Sequence, residues 1–393
     1  MCSKNQTESH SPRLSPHSFT RERSSELSQL RHRHKWLVSL LLVLFTSLLV
    51  AAKKPLKTPD SLSSLQQIRR FHRRVPLIDL HADTMYRQMK HWLNLRKPQR
   101  WRDLDLPKLR RGGVGAQVFV LWIDPRKTKR PGDGWRALLR MYRGYKRLLK
   151  ESRGRLVHAR TAQDVRRIVK QGKIAALLAI EGLHPLEGRP YRVQTIARWG
   201  LVYAGLTWNN SNAFASSATQ ESKGQGRKGL TARGRKVVRL LERHRILVDV
   251  SHLGPRAFWD VIKLARRPVI ASHSNAKSVC SHVRNLTPRQ IRAIAKTGGV
   301  IGVNFYPRFL RQGRHWRRAS IRDILKHIKA LARVGGWKTV ALGSDFDGIP
   351  RGPRGLRHVG QLPSLTRALL KAGIKGKRLR GLLGHNVLRL LPP

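Results

Sequence analysis

Side chains able to bind metal or move protons stand at the ends of apolar runs in this chain. His81 and Asp83 close "LIDLHAD", Glu181 closes "ALLAIE", His252 closes "LVDVSH", His273 closes "VIASH", and Asp345 and Asp347 close "LGSDFD". His81 and Asp83 are two apart, so on an extended strand they share one face. Histidines, a His-x-Asp pair and a glutamate form a nitrogen and oxygen donor set suited to Zn, Mn, Co or Fe. Five donors exceed the need of one catalytic ion that keeps a position open for water, so two ions sharing a carboxylate are expected. Such a pair lowers the pKa of a bridging water and polarises a carbonyl, which is hydrolytic chemistry.

Each residue also has a structural reading. A lone His252 or His273 is more often a hydrogen-bonded core histidine than a ligand. Asp79 and Asp249 read as buried supporting groups, and Asp347, before Gly348, as a turn residue. The convergence of five donors on run ends outweighs these readings. His91, His158, His184, His244, His282, His358 and His385 lack that placement and read as surface or supporting groups.

The elements that must position the set follow from the alternation of β-like and helical stretches. The β-like runs are 75–83, 114–123, 173–182, 201–210, 246–252, 268–274, 299–306 and 339–348. Amphipathic stretches at 135–150, 232–244, 255–265, 288–296 and 320–334 are long enough for crossover helices. Strands alternating with helices imply parallel pairing, and eight such units fit an α/β fold of the closed (β/α)8 TIM-barrel type. A doubly wound sheet would want a Gly-rich turn after its first strand, and "DLHADT" is not one. In a barrel, functional side chains gather at the carboxyl ends of strands, where the candidates lie.

Composition adds a constraint. With 81 Lys and Arg against 21 Asp and Glu the net charge is +60. Only +4 of it falls in residues 1–52, so the bias is spread through the rest. A field of this sign favours an anionic envelope or polymer as a partner and speaks to association rather than fold. Acids are scarce yet persist where burial makes them costly, which again suggests ligands or acid–base groups. Cys2 and Cys280 make no disulfide framework.

Four segments are expected: a basic polar stretch 1–35, an uncharged apolar run 36–52, a lead-in helix or linker 53–74, and the barrel 75–393. The apolar run is short for a membrane span and long for a signal core, so cleavage and anchoring both stay open. Its basic amino-side flank keeps that end cytoplasmic and sends the catalytic part outward, so the enzyme is expected to be exported.

Taken together, the motifs resemble the membrane dipeptidase family, the renal dipeptidase-like metallopeptidases of the amidohydrolase group. "GLTARGRKVV", "VDVSHLG", "PVIASHS", "HVRNLT" and "GGVIGVNFY" occur in family order within 229–306, followed by "GSDFDG" and "GHNVLRL". The resemblance implies two zinc ions, one on His81 and Asp83, the other on His252 and His273, with Glu181 bridging. It implies a metal-bridging hydroxide attacking the peptide carbonyl of a dipeptide and Asp345 passing the proton to the leaving amine. Arg284 would bind the substrate carboxylate through two parallel hydrogen bonds, and Tyr306 would line the pocket. Where the best-known branch has a histidine after "LT", this chain has Trp208, which donates a hydrogen bond but carries no proton charge. Asn209 or Asn210 could supply the missing dipole.

Two alternatives remain at this stage. One is a binuclear barrel hydrolase acting on another amide, ester or lactone, disfavoured by His-x-Asp in place of His-x-His and by the lack of a lysine in "LVYAGLTWNN". The other is a basic envelope- or nucleic-acid-binding protein with an inactive barrel. Nucleic acid is disfavoured because aromatic residues are only 6% and do not interleave with the basic ones. A homodimer stays open, although strong like charge opposes casual association.

Overall fold

The computed structural model describes residues 64–226 and 229–393. Its strands are β1 (Leu77–Ala82), β2 (Val114–Trp122), β3 (Leu156–His158), β4 (Ile174–Glu181), β5 (Leu201–Gly205), β6 (Leu247–Asp249), β7 (Val269–Ile270), β8 (Ile301–Val303) and β9 (Val340–Leu342). They form one sheet in the order β7-β6-β5-β4-β2-β1-β9-β8, with every pairing parallel. A parallel bridge between Ala271 and Ile301 brings the two ends of that path together. The result is a nearly closed eight-strand α/β barrel, as the alternation of strands and helices implies.

A ninth strand, β3, has no counterpart among the eight expected runs. It pairs with the first three residues of β4, while β5 takes up pairing with β4 only from Leu178 onward. Three residues in "GRLVHAR" carry too little periodicity to announce a strand. Several strands are also shorter than their apolar runs. The ladder stops before His252, Asp345 and Asp347, whose φ values of 69°, 65° and 64° turn the backbone out of the extended region.

Both faces of the strands are covered, which is why the runs are continuously apolar rather than alternating. On β2, Val118 and Val120 belong to one buried cluster and Phe119 and Leu121 to another. The helices Asp133–Glu151, Ala232–Arg243, Pro255–Leu264, Pro288–Lys296 and Ile321–Gly335 fall where amphipathic spacing puts them. Local chemistry sets their starts: Thr287 with Gln290 and Ser320 with Asp323 form capping boxes, and Pro255 and Pro288 occupy first-turn positions that need no N–H. A helix over Leu65–Arg74 precedes β1 and is tied to the barrel by buried His72, whose ring nitrogens meet the Gly112 carbonyl (2.9 Å) and Thr366 Oγ1 (2.8 Å).

The apolar run 36–52 and the basic stretch before it lie outside the described residues. No helix among the described residues is long and apolar enough to cross a membrane. Cys280 is buried and free.

Candidate metal centre

The carboxyl ends of β1, β4, β6 and β7 deliver His81, Asp83, Glu181, His252 and His273 to one point, all of them buried. Glu181 divides its oxygens. Oε1 lies 2.9 Å from His252 Nε2 and 3.4 Å from His273 Nε2, while Oε2 lies 3.8 Å from His81 Nε2. Asp83 Oδ2 lies 3.5 Å from His81 Nε2. Distance alone also groups His81 with Glu181 and His273, and His81 with Asp83 and Asp345, the ligand atoms of each trio lying within 4.8 Å of one another.

The residues behind the histidines fix which nitrogen faces the centre. Tyr203 donates its hydroxyl proton to the Leu80 carbonyl (2.7 Å), so its oxygen is left to accept from His81 Nδ1 at 3.0 Å. Ser272 likewise donates to Asp249 Oδ2 (2.7 Å) and accepts from His273 Nδ1 (2.8 Å). His252 Nδ1 donates to Asn209 Oδ1 at 3.0 Å. Each imidazole therefore carries its proton on Nδ1 and turns a bare Nε2 inward, the arrangement that second-layer partners impose on metal-binding histidines.

This chemistry fits divalent cations. His252 Nε2 and His273 Nε2 stand 2.9 Å apart, and two bare lone pairs at that separation repel unless positive charge lies beside them. Burial, with the Arg284 guanidinium nearby, lowers the pKa of His252 to about 4 and that of His273 well below the usual value, so neither is protonated; Arg284 Nη2, 2.9 Å from His273 Nε2, supplies part of that charge, and a cation between the two rings would supply the rest. His81 Nε2 faces Asp83 Oδ2 (3.5 Å) and Glu181 Oε2 (3.8 Å), two carboxylate oxygens that favour positive charge at that nitrogen. His81 Nε2 and Asp83 Oδ1 are buried without hydrogen-bond partners, a costly state that a bound cation relieves.

Asp79 and Asp249 are supporting groups of one design. Asp249 accepts the Ser272 N–H (2.8 Å) and hydroxyl (2.7 Å), and Asp79 accepts the Ser344 N–H (2.8 Å) and hydroxyl (2.6 Å). In each case a strand aspartate grips the serine that precedes a candidate functional residue, His273 or Asp345. Ser251, preceding His252, accepts the His273 N–H at 3.1 Å. Sequence reading passed over Ser272, Ser344 and Tyr203; the recurrence of serine before His252, His273 and Asp345 was the available signal.

Asp345 is half-buried beside the cluster, its Oδ2 accepting from Asn304 Nδ2 at 2.9 Å. Burial, with Asp83 and Glu181 nearby and partly offset by His81, pushes its pKa up to about 8. Gly348 closes over both acids: a Cβ there would run into Asp83 Oδ2 and Asp345 Oδ1. Asp347 turns away, accepting from Thr84 Oγ1 (2.7 Å) and the Asp103 N–H (2.9 Å). Arg284 is buried, with Nη2 2.9 Å from His273 Nε2 and 3.3 Å from the His273 carbonyl, and with Nε unpartnered.

A cavity of about 400 Å³ opens above the cluster, lined in part by Tyr86, Trp122, Trp208, Tyr306 and Phe309. Trp208 packs on Trp122 (4.6 Å between ring centres) and Trp122 on Tyr86 (4.5 Å), forming an aromatic wall, with the Arg126 guanidinium 5.6 Å from the Trp208 ring. Tyr306 stands at the opening, edge-on to Phe309 at 4.9 Å. Asn209 also lines the cavity, with its amide oxygen accepting from His252 Nδ1, and the main-chain carbonyl of Asn210 accepts from His184 Nε2 (2.9 Å).

Known proteins match this architecture. The model of the membrane dipeptidase family, Peptidase family M19, matches residues 65–393. An uncharacterised dipeptidase of Schizosaccharomyces pombe is 32% identical over 341 residues, covering 83% of this chain and 82% of its own length. Dipeptidase aclJ of Aspergillus oryzae is 31% identical over 331 residues, covering 81% of this chain and 78% of its own. A metallopeptidase structure from Rhodobacter sphaeroides, liganded with a phosphinate mimic of the dipeptide L-Ala-D-Ala, aligns with a TM-score of 0.74 at 28% identity, covering 80% of this chain and 98% of that one. The barrel, its cluster of histidines and carboxylates and these matches together place the chain in the membrane dipeptidase family, Peptidase family M19, as a dipeptidase.

Proposed function

We propose that this dipeptidase works outside the cytoplasm with two divalent ions, zinc being the expected metal, held by His81 and Asp83 on one side, His252 and His273 on the other, and Glu181 between. The observation that carries this reading is the division of Glu181: one oxygen faces His81, the other faces His252 and His273. Ions held there would supply Lewis-acid chemistry, lowering the pKa of a water and polarising the scissile carbonyl.

The remaining roles belong to the chain's own groups. Asp345, oriented by Asn304, takes a proton on its carboxylate and passes it to the departing amine. Arg284, buried and with Nε unpartnered, anchors the free carboxylate of the substrate and so restricts it to very short peptides. Trp208 and Tyr306 flank the substrate side chains across the cavity. Export is supported by the basic flank and apolar run of residues 31–52.

The test is metal content of purified protein coupled to hydrolysis of L,L and L,D dipeptides with and without chelator. Two ions per chain and chelator-sensitive cleavage are expected. A fully metal-free enzyme that still cleaves would refute the centre; two ions without cleavage of any dipeptide would refute the substrate assignment.

A further inference from the structure

Away from the mouth of the barrel, neighbouring helices Pro255–Leu264 and Pro288–Lys296 flank a cavity of about 650 Å³. It lies toward the amino ends of β7 and β8, the opposite end of those strands from His273. Pro288–Lys296 buries Ile291, Ala293 and Ile294 against the barrel and leaves exposed a basic stripe, Arg289, Arg292 and Lys296, that recurs at helical spacing and lines the cavity. Arg266 and Arg267, from the loop entering β7, complete five cationic side chains around one space, with Trp259 on the facing helix.

No carboxylate lines that space among the described residues. Glu242, next to the loop, is turned to its main chain, with Oε1 accepting the N–H groups of Arg266 (2.8 Å) and Arg267 (3.0 Å). Like charges three and four apart on a helix repel, so the stripe costs stability as it stands. Arg289 lies over Trp259, its guanidinium carbon 4.9 Å from the ring, which holds the planar fork in place. Arg267 Nη1 is buried without a hydrogen-bond partner, and an orphaned charged donor of this kind calls for an acceptor.

We propose that this groove is a binding site for a multiply charged phosphate ligand. Guanidinium forks match phosphate oxygens in pairs, and five positive charges demand more than one negative one. The cavity volume admits two phosphate groups. The site stands apart from the catalytic centre, so occupancy adds an attachment or retention function to the enzyme without entering its chemistry.

The experiment measures binding of pyrophosphate by calorimetry, and co-sedimentation with vesicles containing cardiolipin, whose headgroup carries two phosphates, for the full chain, for Arg289→Gln with Arg292→Gln, and for a charge-matched control, Arg143→Gln with Lys146→Gln on Asp133–Glu151. Dipeptide cleavage serves as the folding check and stays unchanged in both variants. One site for pyrophosphate, weakened at least about tenfold in the groove variant and not in the control, establishes a site for a free phosphate ligand. Vesicle binding lost in the groove variant alone, without pyrophosphate binding, establishes a lipid-headgroup site. Binding to neither probe, or equal loss in variant and control, overturns the proposal in favour of diffuse surface charge.

Discussion

Ser272 supports the candidate centre because its single hydroxyl proton decides a tautomer. By donating to Asp249 it leaves only a lone pair for His273 Nδ1, which commits the proton to Nδ1 and Nε2 to the centre. Ser272→Ala removes that constraint, and metal affinity should fall about 10- to 100-fold, read by competition with a chelating dye; unchanged affinity would remove Ser272 from the centre's support. Asp345→Asn keeps the side chain's shape and its contact with Asn304 but cannot carry the proton. It should retain metal and lose about 100-fold or more in kcat, and full turnover would refute the shuttle role. Arg284→Ala should raise KM for substrates with a free carboxylate while leaving bound metal in place. An unchanged KM would exclude Arg284 from substrate binding.

At the scale of elements, the weakest part of the barrel is where it closes. β7 has two residues, and its link to β8 runs through the Ala271–Ile301 bridge. Strand spacing there depends on Gly302: a Cβ would strike the Ser272 carbonyl and press on Gly343 Cα. Gly302→Ala should therefore push β8 away from the strand end that carries Ser272 and His273. Overpacking of this kind costs about 1–3 kcal/mol. A lowered unfolding midpoint together with weakened metal binding is expected; a midpoint equal to wild type would show that the seam yields without cost.

For the whole molecule, two fully buried histidines make the fold sensitive to acid. His72 joins the first described helix to the barrel, and His327 meets the Leu310 carbonyl (3.2 Å) and the Ala276 N–H (3.2 Å). Burial lowers the pKa of each from 6.5 to about 4. Both are neutral in the folded chain at pH 7. Below pH 6.5 the unfolded chain takes up protons and the folded chain does not until about pH 4, so stability is full above 6.5 and falls between the two values. The linkage amounts to about 3 kcal/mol for each residue across that range. Chemical unfolding at pH 7 and pH 5 should show a change with pH that is more destabilising in wild type than in His72→Gln, the comparison that isolates this residue from the buried carboxyls whose raised pKa values act in the opposite sense; the same change in both proteins would contradict it.

The sequence by itself determined the barrel and which side chains gather at the candidate centre. Continuous apolar runs ending in His, Asp or Glu mean strands buried on both faces whose last residues leave the ladder, and side-chain type and chain order carry that without reference to distant contacts. Local signals of the same kind set the helix starts at Thr287 and Ser320. Tertiary structure alone decided which groups face one another: the split of Glu181 between His81 and the His252–His273 pair, and the tautomers imposed by Tyr203, Ser272 and Asn209. It also placed β3, three residues whose only reason to be extended is the edge of β4 beside them. Hydrogen-bond direction and strand pairing between residues more than a hundred positions apart, as for Tyr203 and His81, depend on closure of the barrel, and no local pattern records it.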